Sequence, residues 1–160
     1  AFSDRDAGAP SEADGTVSPG VCVAEPGPDA SYADGDRTCI QSWIGIAGML
    51  EWRAVVGVAP RLPGVNEGDA YGFERQGRGV IAVNPSESEA TIAVPTTMPD
   101  GVYCDVVRNG AAFPGATLAG AGEVAKDCPE WARVSVRDGA ASFTLAPLQA
   151  QAIHLWSRVP

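Results

Sequence analysis

The side chains with chemistry to offer in this 160-residue chain are few: one histidine, four cysteines, and twenty carboxylates against eleven basic groups. His154 sits in the apolar run Ile153-His154-Leu155-Trp156, the setting of a packed or edge histidine and not of a general base. No Gly-x-Ser-x-Gly occurs, and no Cys/His pair is placed for nucleophilic catalysis. Gly77-Arg78-Gly79 reads as a turn, not a phosphate cradle. Asp4 with Asp6, and Asp34 with Asp36, suggest calcium, but the EF-hand register with its closing Glu is missing, so they read as solvated loop carboxylates. Hydrolysis of a glycosidic bond needs two carboxylates held ~5–10 Å apart on rigid elements. The acidic residues here fall mostly in loops and turns. No catalytic residue, metal-ligand set or cofactor site is therefore expected. Trp131, Trp156 and Tyr71 remain as aromatic faces on which a sugar ring can stack.

The cysteines, Cys22, Cys39, Cys104 and Cys128, form no C-x-x-C pair, which argues against structural zinc. Four cysteines allow three pairings. An even number in an acidic chain favours disulfides in an exported protein, with four buried free thiols as the alternative. Sequential pairing, Cys22 with Cys39 and Cys104 with Cys128, staples the two longest loops. Each bond then closes a loop of roughly 20 residues and contributes roughly 3 kcal/mol in the chain-entropy model. The net charge of -9 excludes a basic face for nucleic acid or anionic lipid. No apolar run approaches the ~18–20 residues of a membrane span. Hydrophobic residues at 45% suffice for a packed core.

Three zones of composition position these groups. Residues 1–38 are dense in Gly, Pro, Asp and Ser and read as irregular loop. Residues 39–57 read as a helix, because Ile40, Trp43, Ile44, Ala47, Leu50 and Ala54 recur at spacings of three and four. Thr38 is the expected N-cap, and Gly57 the expected stop before Pro60 and Pro63. Gly45 and Gly48 weaken an isolated helix by about 1 kcal/mol each but permit close approach to a partner. No second strong helix is present to bury Trp43, Ile44 and Trp52. Seven short runs follow, at 71–75, 79–84, 90–95, 101–107, 131–137, 140–145 and 150–156, with turns at Arg75-Gln76-Gly77-Arg78 and Asp138-Gly139. The pattern predicts a mainly β protein, an antiparallel Greek-key sandwich preceded by a long loop and one helix. The chain opens without methionine or signal peptide, which reads as a mature, processed or cut polypeptide.

The order of motifs resembles one family. Phe2-Ser3-Asp4-Arg5-Asp6-Ala7-Gly8-Ala9-Pro10 resembles the segment after the eighth barrel strand of secreted actinobacterial α-amylases. Cys39-Ile40-Gln41-Ser42-Trp43-Ile44-Gly45-Ile46-Ala47-Gly48-Met49-Leu50-Glu51-Trp52-Arg53 is similar to their last barrel helix. The stretch from Asn66 to Asn84, with Tyr71-Gly72-Phe73-Glu74-Arg75-Gln76-Gly77-Arg78-Gly79, resembles their Phe-Gly-Arg-Gly hairpin. Pro99-Asp100-Gly101-Val102-Tyr103-Cys104-Asp105-Val106 is similar to their Pro-Ala-Gly-Thr-Tyr-Cys-Asp-Val, and residues 142–154 to their closing strand. Ser42 stands where the family has Arg, Ala54 where it has Asn, and an Ala/Gly-rich insert runs from Asn109 to Lys126.

The resemblance implies that the chain is the C-terminal portion of a secreted, retaining α-amylase acting on internal α-1,4 bonds of starch. Residues 1–64 would be the end of the catalytic (β/α)8 barrel, with its last helix, and 65–160 the C-terminal sandwich. The catalytic carboxylates, and the calcium and chloride ligands, would lie upstream. This chain alone would be inactive and would cap and stabilise that barrel, its partner. Starch or malto-oligosaccharides would be met through the parent enzyme. The sequential disulfide pairing also matches the family pattern. The rival reading is a stand-alone secreted carbohydrate-binding sandwich, favoured by exposed aromatics; a stapled inhibitor or adhesion module would instead show a large exposed apolar patch.

Overall fold

The structure is a computed structural model that describes residues 2–3, 13–14, 22–23, 37–38, 44–109 and 128–159. Within the first 38 residues, three two-residue strands replace part of the expected irregular loop: β1 (Phe2–Ser3), β2 (Cys22–Val23) and β3 (Arg37–Thr38). β3 is central, antiparallel to β1 and parallel to β2. Thr38 thus pairs with Phe2 and Val23, and the helix starts only at Ile44. The backbone of Thr38 serves a strand, so Thr38 is not the N-cap that its side chain suggested. Residues 39–43 of the expected helix, with Trp43, lie outside the described residues.

The helix α1 (Ile44–Val56) ends where expected. Gly57 takes φ +52°, and its N–H donates to Arg53 O at 3.0 Å, the left-handed stop that a side chain would resist. Eight strands then build two four-stranded antiparallel sheets. The first holds β4 (Val65–Glu67), β5 (Ala70–Arg75), β6 (Gly79–Asn84) and a late strand, β11 (Gln149–His154), in the order β11-β6-β5-β4. The second holds β7 (Ala90–Pro95), β8 (Gly101–Cys104), β9 (Arg133–Arg137) and β10 (Ala140–Leu145), in the order β7-β10-β9-β8. In the second sheet β8, β9 and β10 are successive neighbours and β7 lies beside β10, which is the Greek-key order expected. The turn Asp138-Gly139 has both φ angles positive, 51° and 75°, the tight hairpin its residue types specify.

Alternation of burial follows the pleat. β9 and β10 point Val134, Val136, Ala141, Phe143 and Leu145 inward, where they meet Val80, Ala82, Ile92, Val94, Tyr103 and Ile153. The first sheet is covered on its other face as well. There Phe73, Ile81 and Ala152 meet Trp52 and Val56 of α1 and Val106 of the short helix α2 (Val106–Asn109). β6 and β11 accordingly lack clean alternation. The helix therefore does find a partner inside the chain, but for one side only.

Three strands end earlier or start later than their apolar runs. The run at 101–107 stops at Cys104 and turns into α2, because Asp105 Oδ1 accepts the Val107 N–H at 3.0 Å. The run at 150–156 stops at His154, whose Nδ1 accepts the Trp156 N–H at 3.2 Å, opening a 3-10 turn over Leu155–Ser157. The run at 131–137 begins as a 3-10 turn over Glu130–Ala132.

Candidate functional site

The joint between helix and sandwich is built from residues far apart in sequence. Gly48 lies against α2 so closely that a Cβ there would overlap Val106 O. One turn on, Trp52 is buried; its Nε1 donates to Ile153 O at 3.0 Å, and its ring stands edge-on to Phe73 at 6.4 Å between centroids. His154, fully buried, places Nε2 2.8 Å from Glu51 Oε1. The Trp156 N–H already occupies Nδ1, so the imidazole carries its proton on Nε2 and donates it to Glu51. This arrangement is a clasp, not a catalytic pair: no hydroxyl or thiol nucleophile stands at His154 among the bonds it makes. Asp105 ties the same region, its Oδ1 accepting N–H groups from both Val107 and Ala152 at 3.0 Å. Burial pushes its carboxyl up to about 6, against the opposing pull of those N–H groups.

The far side of α1 is open. Ile46 is 41% and Leu50 62% exposed, with Arg53 and Ala54 exposed beside them. Leu50 and Ala54 belong to the apolar face read from the sequence, and the sandwich leaves both uncovered.

A second feature lies at the opposite layer. The β9–β10 ladder ends at the pair Ser135 and Ser142, leaving the second half of β10 unpaired on that side. A groove of about 400 Å³ opens there, lined by Ser135, Ser142, Thr144, Gln149 and Gln151 and walled by Trp131, with Glu89, Arg108 and Arg133 at its margin. Trp131 is 56% exposed. The Arg108 guanidinium sits 5.0 Å from the centre of its ring and donates to Trp131 O at 3.1 Å. Arg133 Nε donates to Cys128 O at 3.2 Å. Cys104 and Cys128 are joined in a disulfide with Cα atoms 5.8 Å apart, which ties the strand leading to Arg108 to the turn carrying Trp131.

The other residues singled out in the sequence are scattered. Cys39, the Cys22 side chain, Asp4, Asp6, Asp34 and Asp36 lie outside the described residues. Tyr71 is half-buried beneath the Arg61 guanidinium, which also donates to its hydroxyl, so its ring is not an open platform. Trp156 is 38% exposed in the last turn. Glu74, buried, spends one oxygen on Thr96, Thr97 and Gly77, a structural pin. Among the described residues, no group of three or more His, Cys, Asp or Glu side chains is placed to hold a metal ion. Sequence reasoning missed the Glu51–His154 clasp, which spans 103 positions, and the role of Asp105; an Asp at the end of an apolar run is the one local hint of the latter.

Residues 65–155 match the family described as alpha amylase, C-terminal all-beta domain. An alpha-amylase of Hypothenemus hampei is 36% identical over 107 residues, which cover 66% of this chain and 21% of that protein. One from Oryzias latipes is 33% identical over 101 residues, covering 62% and 19%. The chain thus spans about a fifth of the length of these relatives. The crystal structure of alpha-amylase I from Eisenia fetida superposes with a TM-score of 0.63 at 26% identity, over 94% of this chain and 28% of that one. A mutant of the same enzyme in complex with maltohexaose gives 0.62 at 26% identity. With two antiparallel sheets in the expected order and the match running from β4 into the last turn, the chain belongs to the family of α-amylase C-terminal all-β domains.

Proposed function

We propose that the chain works as the C-terminal portion of a secreted α-amylase of the actinobacterial type, and that its task is to cap and stabilise a catalytic (β/α)8 barrel. On this reading residues 1–64 finish the barrel, α1 is its last helix, and residues 65–160 are the capping sandwich. The barrel supplies the carboxylates for retaining hydrolysis of internal α-1,4 bonds in starch, together with calcium and chloride. The chain alone does not hydrolyse starch.

The observation that carries the proposal is the two-sided helix. Trp52, Val55 and Val56 are buried against the sandwich side, whereas Ile46 and Leu50 stand in solvent on the other. An apolar stripe on a helix surface is stabilising only when covered, and a chain matching about a fifth of its relatives leaves room for a covering domain. The test is complementation. The full chain is mixed with a separately produced catalytic barrel of an α-amylase, and reducing sugar released from soluble starch is measured. Activity or thermal stability of the barrel rises with the chain and fails to rise with Leu50→Asp. Starch hydrolysis by the chain alone, or equal effects of both forms, would overturn the reading. The rival reading, a stand-alone carbohydrate-binding sandwich, draws on a different observation, the exposed Trp131.

A further inference from the structure

The groove beside Trp131 is not used by the capping role: it lies across the second sheet, whereas α1 packs on the first. Its make-up has a definite chemistry. Five of its lining side chains are uncharged hydrogen-bonding groups, two serines, a threonine and two glutamines, and one wall is a half-exposed indole. A volume of about 400 Å³ falls in the range of roughly 300–1,000 Å³ typical of small-ligand clefts.

Its parts are held in place before any ligand arrives. Gln151 Nε2 donates to Thr144 O at 3.0 Å and to Gln149 Oε1 at 3.4 Å, which turns the Gln151 Oε1 the other way. Gln149 Oε1 also accepts the Ala146 N–H at 3.0 Å. The indole of Trp131 is braced on one face by Arg108. The two cations at the margin are each committed to a backbone carbonyl, Arg108 to Trp131 O and Arg133 to Cys128 O. With Glu89 as a third charge, nothing converges as a phosphate site would require. A flat apolar face beside fixed neutral donors and acceptors fits a sugar ring, which has an apolar face and a rim of hydroxyls.

We propose that this groove binds an α-glucan chain, with the Trp131 indole stacked on a glucose ring and the side chains of Ser135, Ser142, Thr144, Gln149 and Gln151 bonding its hydroxyls. The α-linkage rests on the function proposed above; the groove does not. Such a site holds polymer on the sandwich while a separate catalytic domain works on the same chain, raising the local substrate concentration.

The test uses the full 160-residue chain titrated with maltoheptaose by calorimetry, with cellohexaose and inorganic phosphate as comparison ligands. Saturable maltoheptaose binding is expected, weakened roughly tenfold or more in Trp131→Ala with its unfolding midpoint unchanged. Ser142→Arg fills the groove without touching the indole and is expected to weaken binding similarly, so the proposal does not hang on one variant. Trp156→Ala is expected to bind like the parent chain. Absence of saturable binding, binding indifferent to both groove substitutions, or displacement of maltoheptaose by phosphate would overturn the proposal. Equal affinity for cellohexaose overturns its α-glucan specificity. Loss of docking on a catalytic barrel, read with Leu50→Asp, speaks only to the capping role, so the two readings fail separately.

Discussion

Two tryptophans in this chain differ enough in environment to test the packing account directly. Trp52 is 5% exposed, wedged between α1, α2 and the first sheet, and its indole N–H is bonded to Ile153 O. Trp131 is 56% exposed. Truncating a buried aromatic to alanine costs about 3–5 kcal/mol, transfer and cavity together. The lost N–H bond is worth about 1 kcal/mol, which places Trp52→Ala in the upper half of that range. Trp131→Ala, at an exposed wall, is expected within about 0.5 kcal/mol of the parent. At about 2–4 °C per kcal/mol for a chain of this size, the two variants separate by roughly 10 °C or more in unfolding midpoint. Trp52→Phe keeps an aromatic ring in the joint but removes the donor, and is expected to fall between them at about 1–2 kcal/mol. The assay is urea unfolding of the full chain followed by far-UV circular dichroism, with common slopes required before midpoints are compared. If Trp52→Ala costs less than about 1 kcal/mol, or no more than Trp131→Ala, the helix is not seated on the sandwich as described.

Three further outcomes follow from the same contacts. Asp105, pushed up to about 6 by burial, binds more protons folded than unfolded between its ordinary value and 6, so stability falls as pH rises from about 4 to about 6, by at most about 3 kcal/mol. Asp105→Asn keeps the Oδ1 acceptor, and its unfolding free energy measured across that window should lose this downward slope; an unchanged slope refutes the assignment. Replacing both Cys104 and Cys128 by serine opens a loop of 24-residue separation and is expected to cost roughly 3 kcal/mol in urea unfolding, with Trp131 losing fixed position since both groove walls are tied by that bond. Leu50→Asp should leave the isolated chain within about 0.5 kcal/mol of the parent, because Leu50 is 62% exposed. A large loss there would mean that the chain itself covers the residue.

Local patterns carried much of the fold. Period-two alternation marked β9 and β10 because one face of the second sheet is packed and the other solvated, and alternation is a property of neighbouring residues. Asp138-Gly139 specified its hairpin because only a tight turn with positive φ at both positions suits that pair between twisted strands. Gly57 stopped the helix for the same reason of backbone freedom. The apolar runs at 101–107 and 150–156 misled by two residues or more, since hydrophobicity does not report the competition in which Asp105 and His154 take backbone N–H groups for turns. β4, three residues long and without a buried side chain, left no pattern to read.

The sequence by itself determined the class of fold, the presence of a helix with more apolar surface than one neighbour can cover, and the family to which the motifs point. Those features reside in composition, period and spacing, which are written along the chain. Only the tertiary structure decided which side of that helix the sandwich takes. Gly48, Trp52 and Val56 face inward because α2 and the first sheet leave a slot shaped for them, and Leu50 is left outside. It also decided that Glu51 meets His154 across 103 positions, and that Trp131 shares a groove with Gln151 through a break in the ladder between β9 and β10. Such contacts depend on how sheets stack and where a strand pair parts, and these are set by the summed packing of many side chains, which no short stretch of sequence encodes.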